Sequence, residues 1–184
     1  VADHDVADHV IDACSLINLC ATGELEAWLQ VLGSRWHVPK AVQSESLYLR
    51  IKHADGTVAR EAISLDSAIK SKSLDICEPI GEAETELYLE LAVLLDDGEA
   101  MALAIAKARQ WTLATDDRKA VALAQRLNVS VTTTPELVQK WSEKSGASRD
   151  AIREVLLRIQ DRARFFPNDR SPLHGWWFEI ADSG

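Results

Sequence analysis

Short apolar runs alternate with stretches of helical periodicity along this chain, and the alternation predicts a parallel sheet covered by helices. Strands are expected at His9 to Ala13, Trp36 to Val38, Leu74 to Cys77, Trp111 to Thr115 and Val129 to Thr132. Between them, helical spacing of apolar residues covers Leu16 to Leu19, Leu25 to Leu32, Ala41 to Ile51, Ala59 to Ile69, Glu84 to Leu95, Ala100 to Ala108 and Lys119 to Leu127. A short helix over Thr134 to Trp141 has Pro135 at its start, where a missing N–H is harmless. Ser148 caps a last helix running to about Arg164. Gly33-Ser34, Asp55-Gly56, Asp97-Gly98 and Ser145-Gly146 read as turns. The tail from Pro167 to Gly184 is rich in turn residues and then aromatic at Trp176-Trp177-Phe178, rings expected to dock on the domain or on a second copy of it.

Acidic residues punctuate this pattern. Asp12 closes the first apolar run, and Asp116 and Asp117 follow the run ending at Thr115. In an open α/β sheet the strand carboxyl ends gather on one edge, so carboxylates remote in sequence can meet in one crevice. Glu45, early in the stretch after Val38-Pro39, and Glu99, opening the run Ala100 to Ala104, fit the same crevice. Such a cluster repels itself unless neutralised, and hard oxygen ligands suit Mg²⁺ or Mn²⁺. The bland reading of each acid is different: Asp12 as a helix cap, Glu45 as a surface-facing helical residue, and one of Asp97 and Glu99 as a cap while the other points into the crevice, with Glu99 favoured for the crevice and Asp97 in reserve. Asp116 and Asp117 are expected to divide the same two jobs, because alternation points them in different directions.

Composition narrows the partners. With 184 residues and 47% hydrophobic content, the chain can bury one sizeable core and needs only one domain. No apolar run reaches the roughly 18 residues of a membrane span, so no membrane partner is expected. The polar, acidic start, Val1 to Asp5, lacks the blocks of a secretory signal. Three cysteines, Cys14, Cys20 and Cys77, have no metal-ligand spacing and read as buried reduced thiols of a cytoplasmic protein. A net charge of −9 argues against broad adhesion to nucleic acid but leaves room for a local groove, for which Arg50, Lys52, Arg118, Lys119 and Arg126 are candidates.

Four pieces together resemble the PIN-domain ribonucleases: Val10 to Leu19 with its Asp-Ala-Cys-Ser start, Val38-Pro39 followed by Val42 to Glu45, Gly98 to Ala106, and Leu113 to Ala120 with Thr115-Asp116-Asp117. Each is short and weak alone; their order and spacing over roughly Val10 to Leu137 make the likeness. The resemblance implies a three-layer α/β/α sandwich around a central parallel sheet, with a PIN-like nuclease domain over residues 8–145 and residues 146–184 as a C-terminal helix and aromatic tail packed on it. It implies Mg²⁺- or Mn²⁺-dependent cleavage of single-stranded or loop RNA. Asp12 would be the central ligand, Glu99 with Asp117 or Asp116 would complete the shell, and Glu45 would ligate a second ion or hold a metal-bound water. Asp117 matches the acid two places after the threonine, while Ser15 and Thr115 match supporting hydroxyls. Many bacterial relatives are toxins of toxin–antitoxin pairs, which would add an antitoxin protein as partner; a homodimer is the other candidate assembly.

Two rival classes stand beside this one. A metal-dependent phosphatase also places aspartates at strand ends, but a phosphoaspartate hydrolase would present a second aspartate where Cys14 stands. A catalytically inactive PIN-like scaffold binding RNA or protein would keep the fold without turnover.

Overall fold

The computed structural model describes residues 7–45 and 47–183, so the segment 1–6, Ser46 and Gly184, each inside an expectation above, lie outside it. Its centre is a five-stranded parallel sheet of β1 (Asp8–Ile11), β2 (Arg35–Pro39), β5 (Asp75–Cys77), β6 (Thr112–Ala114) and β7 (Val131–Thr132), in the spatial order β5-β2-β1-β6-β7. β1 lies between β2 and β6, with Val10 beside His37 and Leu113, and Ile11 beside Ala114. A sheet covered on both faces requires continuous apolar strands, and Val10 and Ile11 are fully buried.

The two faces of β1 feed two cores. Ile11 joins a cluster with residues of α1 (Ala13–Ala21), α2 (Leu25–Leu32), α8 (Thr134–Ser145), α9 (Arg149–Arg158) and α10 (His174–Ala181). Val10 and Leu113 join the opposite one, built from α5 (Gly81–Ala92), α6 (Asp97–Arg109) and α7 (Arg118–Arg126). Helices therefore cover the sheet on both sides, giving the three-layer sandwich. In the tail, Trp177 is completely buried, edge-on to Phe165 with ring centroids 5.6 Å apart. Its helix, α10, is an element that the turn-rich composition of the tail conceals.

The middle of the chain departs from the expected pattern. The helix expected over Ala41 to Ile51 stops at Ser44 as α3 (Lys40–Ser44), and Tyr48–Lys52 is a strand, β3. The helix expected over Ala59 to Ile69 divides into β4 (Val58–Ala62) and α4 (Asp66–Lys70). β3 and β4 pair antiparallel as a separate hairpin around the Asp55-Gly56 turn, where Gly56 takes φ +84°. Strict polar–apolar alternation in Tyr48-Leu49-Arg50-Ile51-Lys52 favours a strand, and burying Leu49 under the hairpin overrides the helix propensity of Ala59 to Ala62.

At the other end, α9 runs into a π-helical turn, Ile159–Ala163, and Arg164 closes it in the left-handed conformation at φ +59°. Cys77 is buried, but Cys14 is exposed, contrary to the expectation of buried thiols. No described helix is long and apolar enough to cross a membrane.

Candidate functional site

The chain leaves β1 toward β2 on one side of the sheet and reaches β6 on the other, so a crevice opens where β1 and β6 end. Asp12 and Thr115 are the residues that follow those two strands. The Asp12 N–H donates to the Ala114 carbonyl at 3.1 Å, extending the ladder by one step, and Thr115 is likewise held to Thr132. Asp12 is 1% exposed. Its Oδ1 accepts from the Ser15 backbone N–H at 2.8 Å, capping α1, while its Oδ2 accepts from the Thr115 hydroxyl at 2.5 Å. The capping reading of Asp12 is therefore met through Oδ1, while Oδ2 is held by Thr115. Burial pushes its carboxyl up to about 7, against an ordinary 3.8, even though Thr115 and Ser15 pull the other way.

Asp116 and Asp117 point in different directions, and one of them is a helix cap. Asp117 caps α7 with Oδ1, which accepts from the backbone N–H groups of Lys119 and Ala120 at 2.8 Å each. Asp116 turns back toward α1 and α8. Its Oδ1 accepts from the Thr134 N–H at 2.9 Å, and its Oδ2 accepts from Ser15 Oγ at 3.2 Å, Asn18 Nδ2 at 3.1 Å and the Thr134 hydroxyl. Burial raises its pKa despite these donors. Asn18, 3% exposed, also donates to Thr134 Oγ1 at 3.0 Å and so ties α1, the β6–α7 junction and α8 into one network.

Glu99 and Glu45 approach from the other side. Glu99 lies in the first turn of α6, half-buried, and its pKa is raised by burial, then by Asp117, Asp96 and Glu45. Glu45, which ends α3, is raised by burial and by Asp96 and Asp97. The side chain of Glu45 lies against Gly98: a Cβ added there would stand 2.7 Å from Glu45 Oε1 and from Val42 Cγ2, so only glycine allows this approach. Asp97 instead faces Tyr88, whose hydroxyl donates to it at 3.4 Å.

One thiol reports the convergence. Although the residue is exposed, desolvation pushes the Cys14 thiol up to about 12, and Asp12, Glu99, Asp116 and Asp117 add to the rise, so carboxylates from three segments act on one sulfur. A divalent cation fits the chemistry of this set, since every donor is a hard carboxylate oxygen, Asp116 raises the pKa of Asp12, and Asp117 raises that of Glu99. In their present rotamers, however, no three His, Cys, Asp or Glu side chains among the described residues converge on a common point for an ion.

The residue pattern does not single out Asn18 or Thr134. For Asn18 a local signal exists: it is a lone amide in the otherwise apolar Leu16-Ile17-Leu19 face, and such a group must find a partner when buried. A cavity of about 310 Å³ opens beside Asp116 and Asp117, with Arg118, Phe165 and the 57% exposed Phe166 in its wall. The buried Trp177, by contrast, serves packing.

Comparison with curated proteins and with solved structures gives no match. The model of the PIN domain matches residues 8–171, which takes in all four acidic segments and continues through α9 and the π-helical turn. The chain belongs to the PIN-domain family, whose members are generally nucleases.

Proposed function

We propose that this protein is a Mg²⁺- or Mn²⁺-dependent endoribonuclease that hydrolyses RNA phosphodiester bonds at the carboxyl edge of its sheet, with Asp12, Glu99 and Asp117 as principal ligands and Glu45 at the side of a second ion or its water. The observation that carries this reading is Asp12: a fully buried carboxyl at a strand end, held in place by two donors and crowded by Asp116, is an unfavourable arrangement unless a cation compensates it. When bound, the metal supplies a water made nucleophilic near neutral pH and stabilises charge on the leaving oxygen.

The chain's own residues set the stage for that chemistry. Thr115 and Ser15 fix both oxygens of Asp12 before any ligand arrives. Asp116, with both oxygens already engaged by Thr134, Ser15 and Asn18, acts as a positioning residue that anchors the segment bearing Asp117. Asp117 keeps Oδ2 outside its capping bonds, and the repulsion it shares with Glu99 is what a cation would relieve. No histidine is needed as a base. His37 pairs with Asp8 at 2.7 Å and stacks on Trp111, and His9 packs on Trp36, so both belong to the strands' packing.

The test is cleavage of mixed structured and single-stranded RNA by purified protein with Mn²⁺, Mg²⁺ or EDTA, beside Asp12→Asn. Metal-dependent products bearing 5′-phosphate and 3′-hydroxyl ends, absent for the variant, are the expected result. Well-folded protein that binds Mn²⁺ without cutting RNA would support the phosphatase reading, and protein that binds no metal would support the scaffold. A toxin role adds a cellular expectation: induction arrests growth, Asp12→Asn does not, and a co-expressed antitoxin restores growth.

A further inference from the structure

Beside Glu45 the surface opens into a cleft of about 530 Å³ that, among the described residues, no acid other than Glu45 lines. Its walls are the β3–β4 hairpin, contributing Tyr48, Arg50 and Arg60, and the end of the π-helical turn, contributing Arg162 and Arg164. Four arginines thus share one cleft of a chain whose net charge is −9.

Two of them stand in an arrangement that sheets avoid. Arg50 and Arg60 are direct cross-strand partners, and direct partners project from the same face, so two guanidinium groups are held side by side. Like charges in that position repel. Among the described residues, neither they nor Arg164 has a carboxylate partner. Arg60 instead lies over the Tyr48 ring, 4.2 Å from its centroid. Arg162 differs from the other three: it donates to Glu61 at 3.0 Å and to the Ala21 carbonyl at 3.2 Å, and so pins the hairpin to α1. Arg164 reaches the cleft from a left-handed backbone that a β-carbon disfavours, at the end of a π-turn, an irregularity found often at functional sites. An anion would neutralise these three arginines.

We propose that the cleft is a phosphate-binding groove for single-stranded RNA, in which Arg50, Arg60 and Arg164 hold the phosphodiester backbone on the Glu45 side of the cleavage point, with the Tyr48–Arg60 pair as a platform for a base. The assignment rests on the nuclease reading of the acidic edge and makes the substrate a strand of several nucleotides rather than a dinucleotide. Charge complementarity carries it: repeated phosphates neutralise adjacent guanidinium groups, and arginine's fork engages phosphate oxygens in pairs. Stacking of a base on an aromatic ring adds sequence-tolerant affinity.

The experiment measures anisotropy of a labelled single-stranded RNA on metal-free protein across a salt series, with cleavage in Mn²⁺ and thermal unfolding on the same preparations. Arg50→Gln with Arg60→Gln is expected to weaken binding about tenfold and to make the slope of log affinity against log salt shallower by ~1.4, near 0.7 for each phosphate no longer neutralised. Arg164→Asn, which tolerates the left-handed backbone, should remove about half as much. Arg50→Lys with Arg60→Lys should keep the slope, and Lys107→Gln, in the last turn of α6 at the far end from Glu99, should change nothing. The melting temperature of the Gln pair should hold or rise, because a repulsion has been removed, whereas a structural role would lower it. Metal-dependent cleavage with an unaltered slope in the Gln pair would overturn the groove and leave the nuclease standing, with the arginines free for an acidic protein surface. Wild-type protein that neither binds nor cuts RNA would remove both.

Discussion

The two sides of the acidic edge are built differently. On the β1–β6 side, Asp12 and Asp116 are enclosed, and all four of their carboxylate oxygens already accept hydrogen bonds. On the α3–α6 side, Glu45 is exposed and Glu99 half-buried, and what perturbs them beyond burial is chiefly other carboxylates. One side is organised by donors of the chain itself; the other is organised by repulsion and waits for a counter-charge. A site of this kind holds its reference point rigidly while its remaining ligands stay free to adjust to ion and substrate.

Substituting the reference point should have the largest effect. Asp12→Asn is expected to lower metal-dependent cleavage by more than about 100-fold, beyond the ~10- to 100-fold of an outer partner. Its stability should move the other way. A carboxyl raised from 3.8 to about 7 in the folded state binds its proton more tightly there than in the unfolded chain, so its contribution is intact below pH 3.8 and is lost as pH rises through about 7. The loss amounts to as much as about 4 kcal/mol by pH 8. Metal-free wild type should therefore lose melting temperature between about pH 4 and pH 7, Asp12→Asn should lose much less, and Mn²⁺ should restore the wild type. A flat pH profile shared by both proteins would contradict the picture of a penalised acid.

Asp117→Asn separates ligand from cap, because asparagine caps a helix nearly as well as aspartate. Unfolding should shift by less than about 0.5 kcal/mol while activity falls by about 100-fold or more. Comparable losses in both would return Asp117 to a purely structural role. Asn18→Ala leaves Asp116 and Thr134 short of a buried donor, which should reduce stability by about 1–3 kcal/mol and activity by ~10- to 100-fold, measured by denaturant unfolding and initial rates. Gly98→Ala acts on the adjustable side and should be the mildest: Glu45 must move by a few tenths of an ångström or more, lowering Mn²⁺ affinity with about 1–3 kcal/mol lost to overpacking. Unchanged Mn²⁺ titrations would detach Glu45 from the metal.

The hairpin and the strand ends show why sequence carried some of this and not the rest. At β1 and β6 a short apolar run stops at an acid, and both the burial and the stop are local facts, so Asp12 and Asp116 could be placed on one edge from composition alone. At β3 and β4 the same residues satisfy two periods. Ala59 to Ala62 favours a helix until Leu49 needs cover, and that need comes from the rest of the core. The aromatic tail is similar: its helix exists because Trp177 has a cavity to fill.

By itself, the sequence determined the alternation of strand and helix, the parallel sheet and the acids that follow its strands, because strand burial and chain crossover are dictated by local hydrophobicity and handedness. Only the tertiary structure decided which oxygen of each acid is occupied, that Asn18 reaches Thr134 across 116 positions, that Gly98 makes room for Glu45, and that Arg50 faces Arg60. Those are contacts between segments remote in the chain, and neither spacing nor composition encodes the rotation of one element against another.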